Sequence, residues 1–179
     1  MNLPQRKVAV VDIGSNSTKI LVALVNTNGE VVKVREEGFS CRLIDKGNIS
    51  SPIISPKKRM ELCSGLSRLL EICTQEGVSD PVLVATEAIR TSLNAYEVEQ
   101  EVFDNFSKSL FVLSGNKEAE LIARGILLEP QITGQDNFQA FDLGGGSLEI
   151  IEFNPNSQIF TKSLRLGALV MKEKFSTEE

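Results

Sequence analysis

One stretch of ten residues occurs twice in this chain, and that repetition limits the folds open to it. Val11–Ile20 (VDIGSNSTKI) returns as Phe141–Ile150 (FDLGGGSLEI), with Asp, Gly, Ser and the apolar positions at the same spacing. Each copy has a β-branched or aromatic run before the bend and another after it, which is the pattern of a strand, a tight turn and a returning strand. A further strand is expected after each copy, over Glu30–Glu36 in the first and about Gln158–Leu164 in the second. The chain therefore reads as two copies of one α/β unit.

Between the copies, apolar periodicity supplies the remaining elements. Lys7–Asp12 and Thr18–Val25 form the first hairpin, and Asn26-Thr27-Asn28-Gly29 turns the chain into the third strand. A polar loop is expected from Gly38 to Ser55. Ser55-Pro56 then opens a helix, serine as its cap and proline at its first position, running to about Glu76 before Gly77. Pro81–Ala85 and Ser109–Leu113 are short buried strands. Helical periodicity covers Leu93–Ser107 and Asn116–Leu128, and Gln131–Asn137 has the composition of a linker. The order β-β-β-α-β-α-β-α predicts a mixed five-stranded sheet with flanking helices. Residues 1–129 are expected to form the first domain and 130–179 the start of a second. After Asp142 only 37 residues remain, fewer than the ~40 below which unaided folding is unusual. The second copy is thus expected to be incomplete.

Composition removes several chemistries. The sequence has no histidine, which excludes Ser-His-Asp triads and histidine acid–base catalysis. Cys41, Cys63 and Cys73 have no metal-ligand spacing, and Cys63 and Cys73 share a helical stripe with Leu66 and Leu70, as core residues do. The net charge of −5 argues against a nucleic-acid partner. No apolar run approaches the ~20 residues of a membrane helix, and no secretory leader is evident, so a cytoplasmic protein without a membrane partner is expected. Exposed apolar strands in a partial second domain would favour a homodimer.

A Gly- and Ser-rich bend between two strands aims backbone N–H groups and hydroxyls at an anion. Gly14, Ser15, Asn16 and Ser17 in the first copy, and Gly144, Gly145, Gly146 and Ser147 in the second, are candidate phosphate ligands. Asp12 and Asp142 end the strands before them, where a carboxylate beside phosphate suits a bridging divalent cation or water. Taken singly, each bend reads equally well as a hairpin whose Asp and Ser satisfy local amides; the pair favours two loops gripping a phosphate chain.

These residues also carry a resemblance. Asp12–Ser17 (DIGSNS), Ala85–Asn94 (ATEAIRTSLN), Ser114–Gly125 (SGNKEAELIARG), Asp142–Glu149 (DLGGGSLE) and Ser163–Phe175 (SLRLGALVMKEKF) are similar, in order, to the motif series of the exopolyphosphatase/guanosine pentaphosphate phosphohydrolase (Ppx/GppA) family. The resemblance implies an actin-like ATPase (ribonuclease H-like) fold and hydrolysis of the terminal phosphoanhydride of polyphosphate or guanosine pentaphosphate, usually with Mg2+. It implies Glu118 as the glutamate that activates water, Arg90 as a phosphate-contacting arginine, and Asp142 and Glu149 as acids tied to metal or water. Asp12 completes the expected metal set. Ile44 and Val170 stand where the family usually carries glycine and often arginine.

The residues alone leave alternatives. Glu118 shares a helical stripe with Leu121, Ile122 and Gly125, which suits a partly desolvated base, or it is a helix N-terminal acid favoured by the dipole. Arg90 forks a phosphate or makes a surface ion pair to Glu87 or Glu97, and Thr86 and Asn94 are hydrogen-bonding supports. A phosphate- or nucleotide-binding module without turnover, or an actin-like ATPase or sugar kinase, are the competing readings. The chain on its own is expected to be weakly active or inactive.

Overall fold

Strand alternation decides what the first sheet buries. The computed structural model describes residues 5–45, 51–129, 137–154 and 160–175. The expected linker, apart from Asn137, and the expected strand start at Gln158 lie outside them. In β1 (Gln5–Ile13) Ala9, Val11 and Ile13 are buried, whereas Val10 and Asp12 face outward. β2 (Ser17–Asn26) pairs antiparallel with β1 and buries Thr18, Ile20 and Val22 on the same side. β3 (Val31–Ser40) adds antiparallel to β2, while β4 (Val82–Ala85) and β5 (Leu110–Val112) add in parallel on the other side of β1. The sheet order is β3-β2-β1-β4-β5, the mixed five-stranded sheet that the element order predicts.

The third strand runs further than its sequence suggests, through Gly38 to Ser40. Glycine there reads as the start of a loop, but its cause is steric. A Cβ on Gly38 would lie 2.8 Å from the Thr18 carbonyl oxygen and 3.0 Å from Lys19 Cγ, so the strand keeps its pairing only with the bare backbone.

Helix α1 (Pro56–Gln75) supplies the other half of the core. Ser55 Oγ accepts from the Lys58 amide at 3.4 Å, with Pro56 at the first position, as the sequence signature requires. Leu62, Leu66, Leu69, Ile72 and Cys73 pack with the inward side chains of β1 and β2 and with Leu83. Two further helices follow β4: the short α2 (Glu87–Thr91) and α3 (Ala95–Phe106), whose Val98 and Val102 join the core. Arg59 of α1 bridges Glu97 at 2.7 Å and Glu101 at 2.8 Å on α3. Asn94, expected as a support, exchanges two bonds of 3.0 Å with the backbone of Ile54.

The chain divides into two compact units, Met1–Val112 and Leu113–Glu179. In the second, helix α4 (Gly115–Ile126) packs on β7 (Leu148–Phe153) and β8 (Phe160–Leu164), which with β6 (Phe138–Leu143) form an antiparallel sheet in the order β6-β7-β8. Phe138 and Phe153, register partners, stack with ring centroids 5.1 Å apart. Helix α5 (Ala168–Phe175) follows, with Val170 buried. The repeated segments bury opposite faces. Val11 and Ile13 are 0% exposed, whereas their counterparts Phe141 and Leu143 are 63% and 59% exposed; Glu149 is 2% exposed where the first copy has the exposed Lys19. Among the described residues no helix is long and apolar enough to cross a membrane.

A buried hydroxyl of the first sheet is unsatisfied among the described residues. Thr18 Oγ1 has no hydrogen-bond partner although the residue is fully buried. Such an orphan costs about 1–3 kcal/mol, and valine has the same shape. Thr18→Val is therefore expected to leave stability unchanged or raise it, while Leu66→Ala lowers it by about 2–5 kcal/mol; urea denaturation midpoints read both.

Candidate phosphate site

The first bend is closed by a hydrogen bond from the Gly14 amide to the Ser17 carbonyl at 3.0 Å. The chain leaving β3 then folds back on it: Cys41 N–H donates to Asn16 O at 3.0 Å and Leu43 N–H to Ser15 O at 3.2 Å. The bend's carbonyls are thereby occupied from within the protein. Among the described residues the amides of Ser15 and Asn16 donate to no other backbone group, which leaves donors for an anion.

Strand β4 ends level with β1, Ala85 beside Ile13, and the Thr86 amide donates to Ile13 O at 3.2 Å. The outer end of the two parallel strands, where α/β sheets take ligands, thus carries both the bend and α2. Arg90 sits in the last turn of α2, half-buried, its amide bonded to Thr86 O at 3.0 Å. It lies within a helix rather than between a strand and a helix as its sequence context suggests. Glu97 is engaged by Arg59. Asp12 is exposed and faces Lys19 across the β1–β2 ladder.

Glu87 is the residue that the sequence pattern conceals. It is 6% exposed; Ser15 Oγ donates to its Oε2 at 3.3 Å, and Thr91 Oγ1 donates to its carbonyl at 2.9 Å. A charged residue is rarely buried without partners, and nothing in ATEAIR marks which of its residues turns inward.

The second bend repeats the first in its bonding. Gly144 N–H donates to Ser147 O at 3.0 Å, and the chain after β8 returns over it: Gly167 to Gly146 O at 3.1 Å, and Ala168 to Gly144 O and Leu169 to Gly145 O at 2.9 Å each. Gly167 lies against the bend so closely that a Cβ would meet Gly146 C at 2.3 Å and Gly145 C at 2.4 Å. Ser147 is buried, and Gly145 and Gly146 donate to no other backbone group among the described residues.

In the same unit, Asp142 and Glu149 are register partners across β6 and β7, so their side chains share a face. Ser163 Oγ donates to Glu149 Oε1 at 2.7 Å. Glu118 occupies the first turn of α4, which Ser114 caps by accepting from the Lys117 amide at 3.2 Å; the Glu118 amide donates to Ser114 O at 2.9 Å. The buried positions of α4 are Ala119 and Ala123, with Leu121 41% exposed and Gly125 exposed. Glu118, half-buried, therefore lies at the edge of the packed face, not on a stripe with Leu121. Small residues let the helix lie close to the sheet, and leucine size misled the periodicity.

The expected site residues fall into two groups, Asp12, Gly14–Ser17 and Arg90 in one unit, and Glu118, Asp142, Gly144–Ser147 and Glu149 in the other. Among the described residues no three Cys, Asp or Glu side chains are gathered as a metal cage. Asp142 and Glu149 alone suit a magnesium ion that draws its remaining ligands from water and substrate phosphate, which is how Mg2+ is commonly held. Burial pushes the thiols of Cys41, Cys63 and Cys73 above their usual range, so none is an activated nucleophile. Ile44 packs against the core and Val170 is 3% exposed, so the two departures from the family pattern serve packing.

The sheet order, with a glycine bend joining its first two antiparallel strands, parallel strands added beyond β1, and the bend repeated in a second unit, is that of the actin-like ATPase fold. Within that class the chain belongs to the Ppx/GppA phosphatase family, whose model matches residues 21–179. It is 27% identical to the bifunctional 3-dehydroquinate synthase/phosphatase of Fusobacterium nucleatum, over 93% of this chain and 26% of that protein. It is also 27% identical to a guanosine-5'-triphosphate,3'-diphosphate pyrophosphatase of Pseudoalteromonas translucida, over 96% of this chain and 34% of that one. The crystal structure of an exopolyphosphatase from Cytophaga hutchinsonii superposes with a TM-score of 0.84 at 24% identity, covering 97% of this chain and 55% of that one. The chain spans between 26% and 54% of the length of such curated relatives.

The tight seat of Gly167 yields a local prediction. Gly167→Ala forces the second bend away from the returning chain, at a cost of at least about 1–3 kcal/mol. Hydrogen–deuterium exchange should quicken at Ala168 and Leu169 and stay unchanged at Cys41 and Leu43, which close the first bend.

Proposed function

We propose that the protein hydrolyses the terminal phosphoanhydride bond of inorganic polyphosphate, guanosine pentaphosphate, or both. The observation that carries this reading is the repeated bend: two copies of one motif, each closed by the same Gly-to-Ser hydrogen bond of 3.0 Å, each with amides left for an anion. Family membership and relatives named as exopolyphosphatase and guanosine pentaphosphate pyrophosphatase support it.

The chemistry asks for positioning and charge compensation more than covalent catalysis. The bends hold phosphoryl oxygens through backbone N–H groups, and Arg90 offers a planar fork for two more. Glu118 takes a proton from the attacking water. The water oxygen bonds to the terminal phosphorus, the bond from that phosphorus to the bridging oxygen breaks, and the bridging oxygen leaves with the electron pair on the shortened chain. Asp142 and Glu149 would hold a Mg2+ ion, which would supply positive charge for the phosphoryl oxygens, and Asp12 in the first unit is the other acid expected to act as a metal ligand. Glu118, Asp142 and Glu149 carry the acidic roles because no histidine exists to share them.

The test is phosphate release from polyphosphate, guanosine pentaphosphate and ATP in the presence of Mg2+. Glu118→Gln is expected to lower kcat by about 10²–10⁴-fold, the usual worth of a general base, with polyphosphate binding retained. Chelation of divalent cations should stop turnover without moving the urea midpoint, since the described residues build no closed metal cage. An unchanged rate in Glu118→Gln overturns its role. Failure of wild-type protein to bind or cleave either substrate overturns the reading as a whole.

A further inference from the structure

We propose that Glu87 is a positioning residue that locks the first bend to the helix carrying Arg90, so that bend and arginine meet a phosphate chain as one rigid unit. The proposal rests on the phosphate-handling function above. Its basis is a chain of contacts through one buried carboxylate. Ser15 Oγ, at the crown of the bend, donates to Glu87 Oε2 at 3.3 Å; Thr91 Oγ1 lies 2.9 Å from the Glu87 carbonyl and 3.5 Å from Oε1. Thr86, next to it, donates its amide to Ile13 O at the base of the bend and accepts from the Arg90 amide. The bend is thereby tied to α2 at crown and base, and Arg90 lies three residues beyond the tie.

The clamp also settles what Ser15 presents to a ligand. A hydroxyl has one proton, and here it is committed to Glu87. Toward a phosphate oxygen Ser15 is left with its backbone amide, and its hydroxyl is held out of competition.

The second copy shows that such a bend can close without this device. Gly145 stands at the position of Ser15 and has no hydroxyl to donate; that bend is braced by the backbone of Gly167 instead. The Glu87–Ser15 contact is thus an addition to the first copy, made where α2 and Arg90 also lie.

Charge and positioning predict opposite outcomes, which makes the idea testable. A carboxylate near an anion site repels the anion, so a residue acting only through its charge would lower KM when removed. A positioning residue raises it. Glu87→Ala, which removes both charge and acceptor, is expected to raise KM for polyphosphate about tenfold, about 1.4 kcal/mol of lost binding, with kcat changed less than about threefold because ground and transition states lose the same contact. Glu87→Gln keeps an acceptor for Ser15 Oγ and should hold KM at or below the wild-type value. Ser15→Ala should match Glu87→Ala, and the double variant should be no worse than either single one.

A lower KM in Glu87→Ala, or additive effects of the two substitutions, overturns the proposal while leaving phosphate hydrolysis intact. So does a fall in kcat at constant KM, the sign of a smaller folded fraction. Should Glu87→Ala not fold, the comparison passes to Ser15→Ala with and without Glu87→Gln, where a raised KM that Glu87→Gln no longer alters supports the clamp and a normal KM refutes it. Wild-type protein that neither binds nor cleaves either substrate removes the parent function and this proposal with it.

Discussion

The hydrogen bond from Gly14 N–H to Ser17 O sets the geometry of the first unit. It reverses the backbone within four residues, so that β1 and β2 pair from Ile13 and Thr18 outward and Asp12 comes to face Lys19. With the chain direction set, Val11, Ile13, Ile20 and Val22 fall on one side, where α1 covers them. The same reversal turns the bend's carbonyls toward the chain returning from β3 and leaves its amides pointing away. A core and an end with unspent amide donors thus arise from one local bond, the first by side-chain alternation and the second by peptide orientation.

Backbone donors would matter to the proposed phosphate site because this sequence is net acidic. Its net charge is −5, so the long-range field opposes phosphate, and attraction has to come from groups close by. Peptide amides carry only partial charge, yet they are fixed in place and lose little freedom when an anion arrives. Under the proposed function Arg90 would bring a guanidinium from a short helix joined to the same strand ends. Accurate placement therefore counts for more than the number of cations.

The sequence announces whatever depends on short-range rules. The hairpin, the Ser55-Pro56 cap of α1 and the repeated bend each need particular residues at fixed offsets, and each is where those offsets put it. The continuation of β3 through Gly38 is not announced, because glycine marks a crossing of backbones there and the neighbour comes from another strand. Helix α2 is too short to show a period, and the inward turn of Glu87 depends on Ser15, seventy-two residues away in sequence. Likewise Leu121 looks like a core residue beside Ala119 and Ala123, but only the helix-to-sheet distance decides that the alanines face inward. The hidden features are those set by partners remote in the chain.

The opposite burial of the two hairpins explains why the internal repeat is so brief. Each bend makes its closing bond within itself and would form wherever it was transplanted. The strands would not accompany it. Exchanged, Lys19 would arrive where Glu149 lies nearly dry beside Ser163, an ammonium in a seat shaped for an acceptor, while Phe141 would have to fill the space of the smaller Val11. The two copies thus keep the same closing bond on strands that have become private to their own surroundings, and likeness survives only where that bond is made.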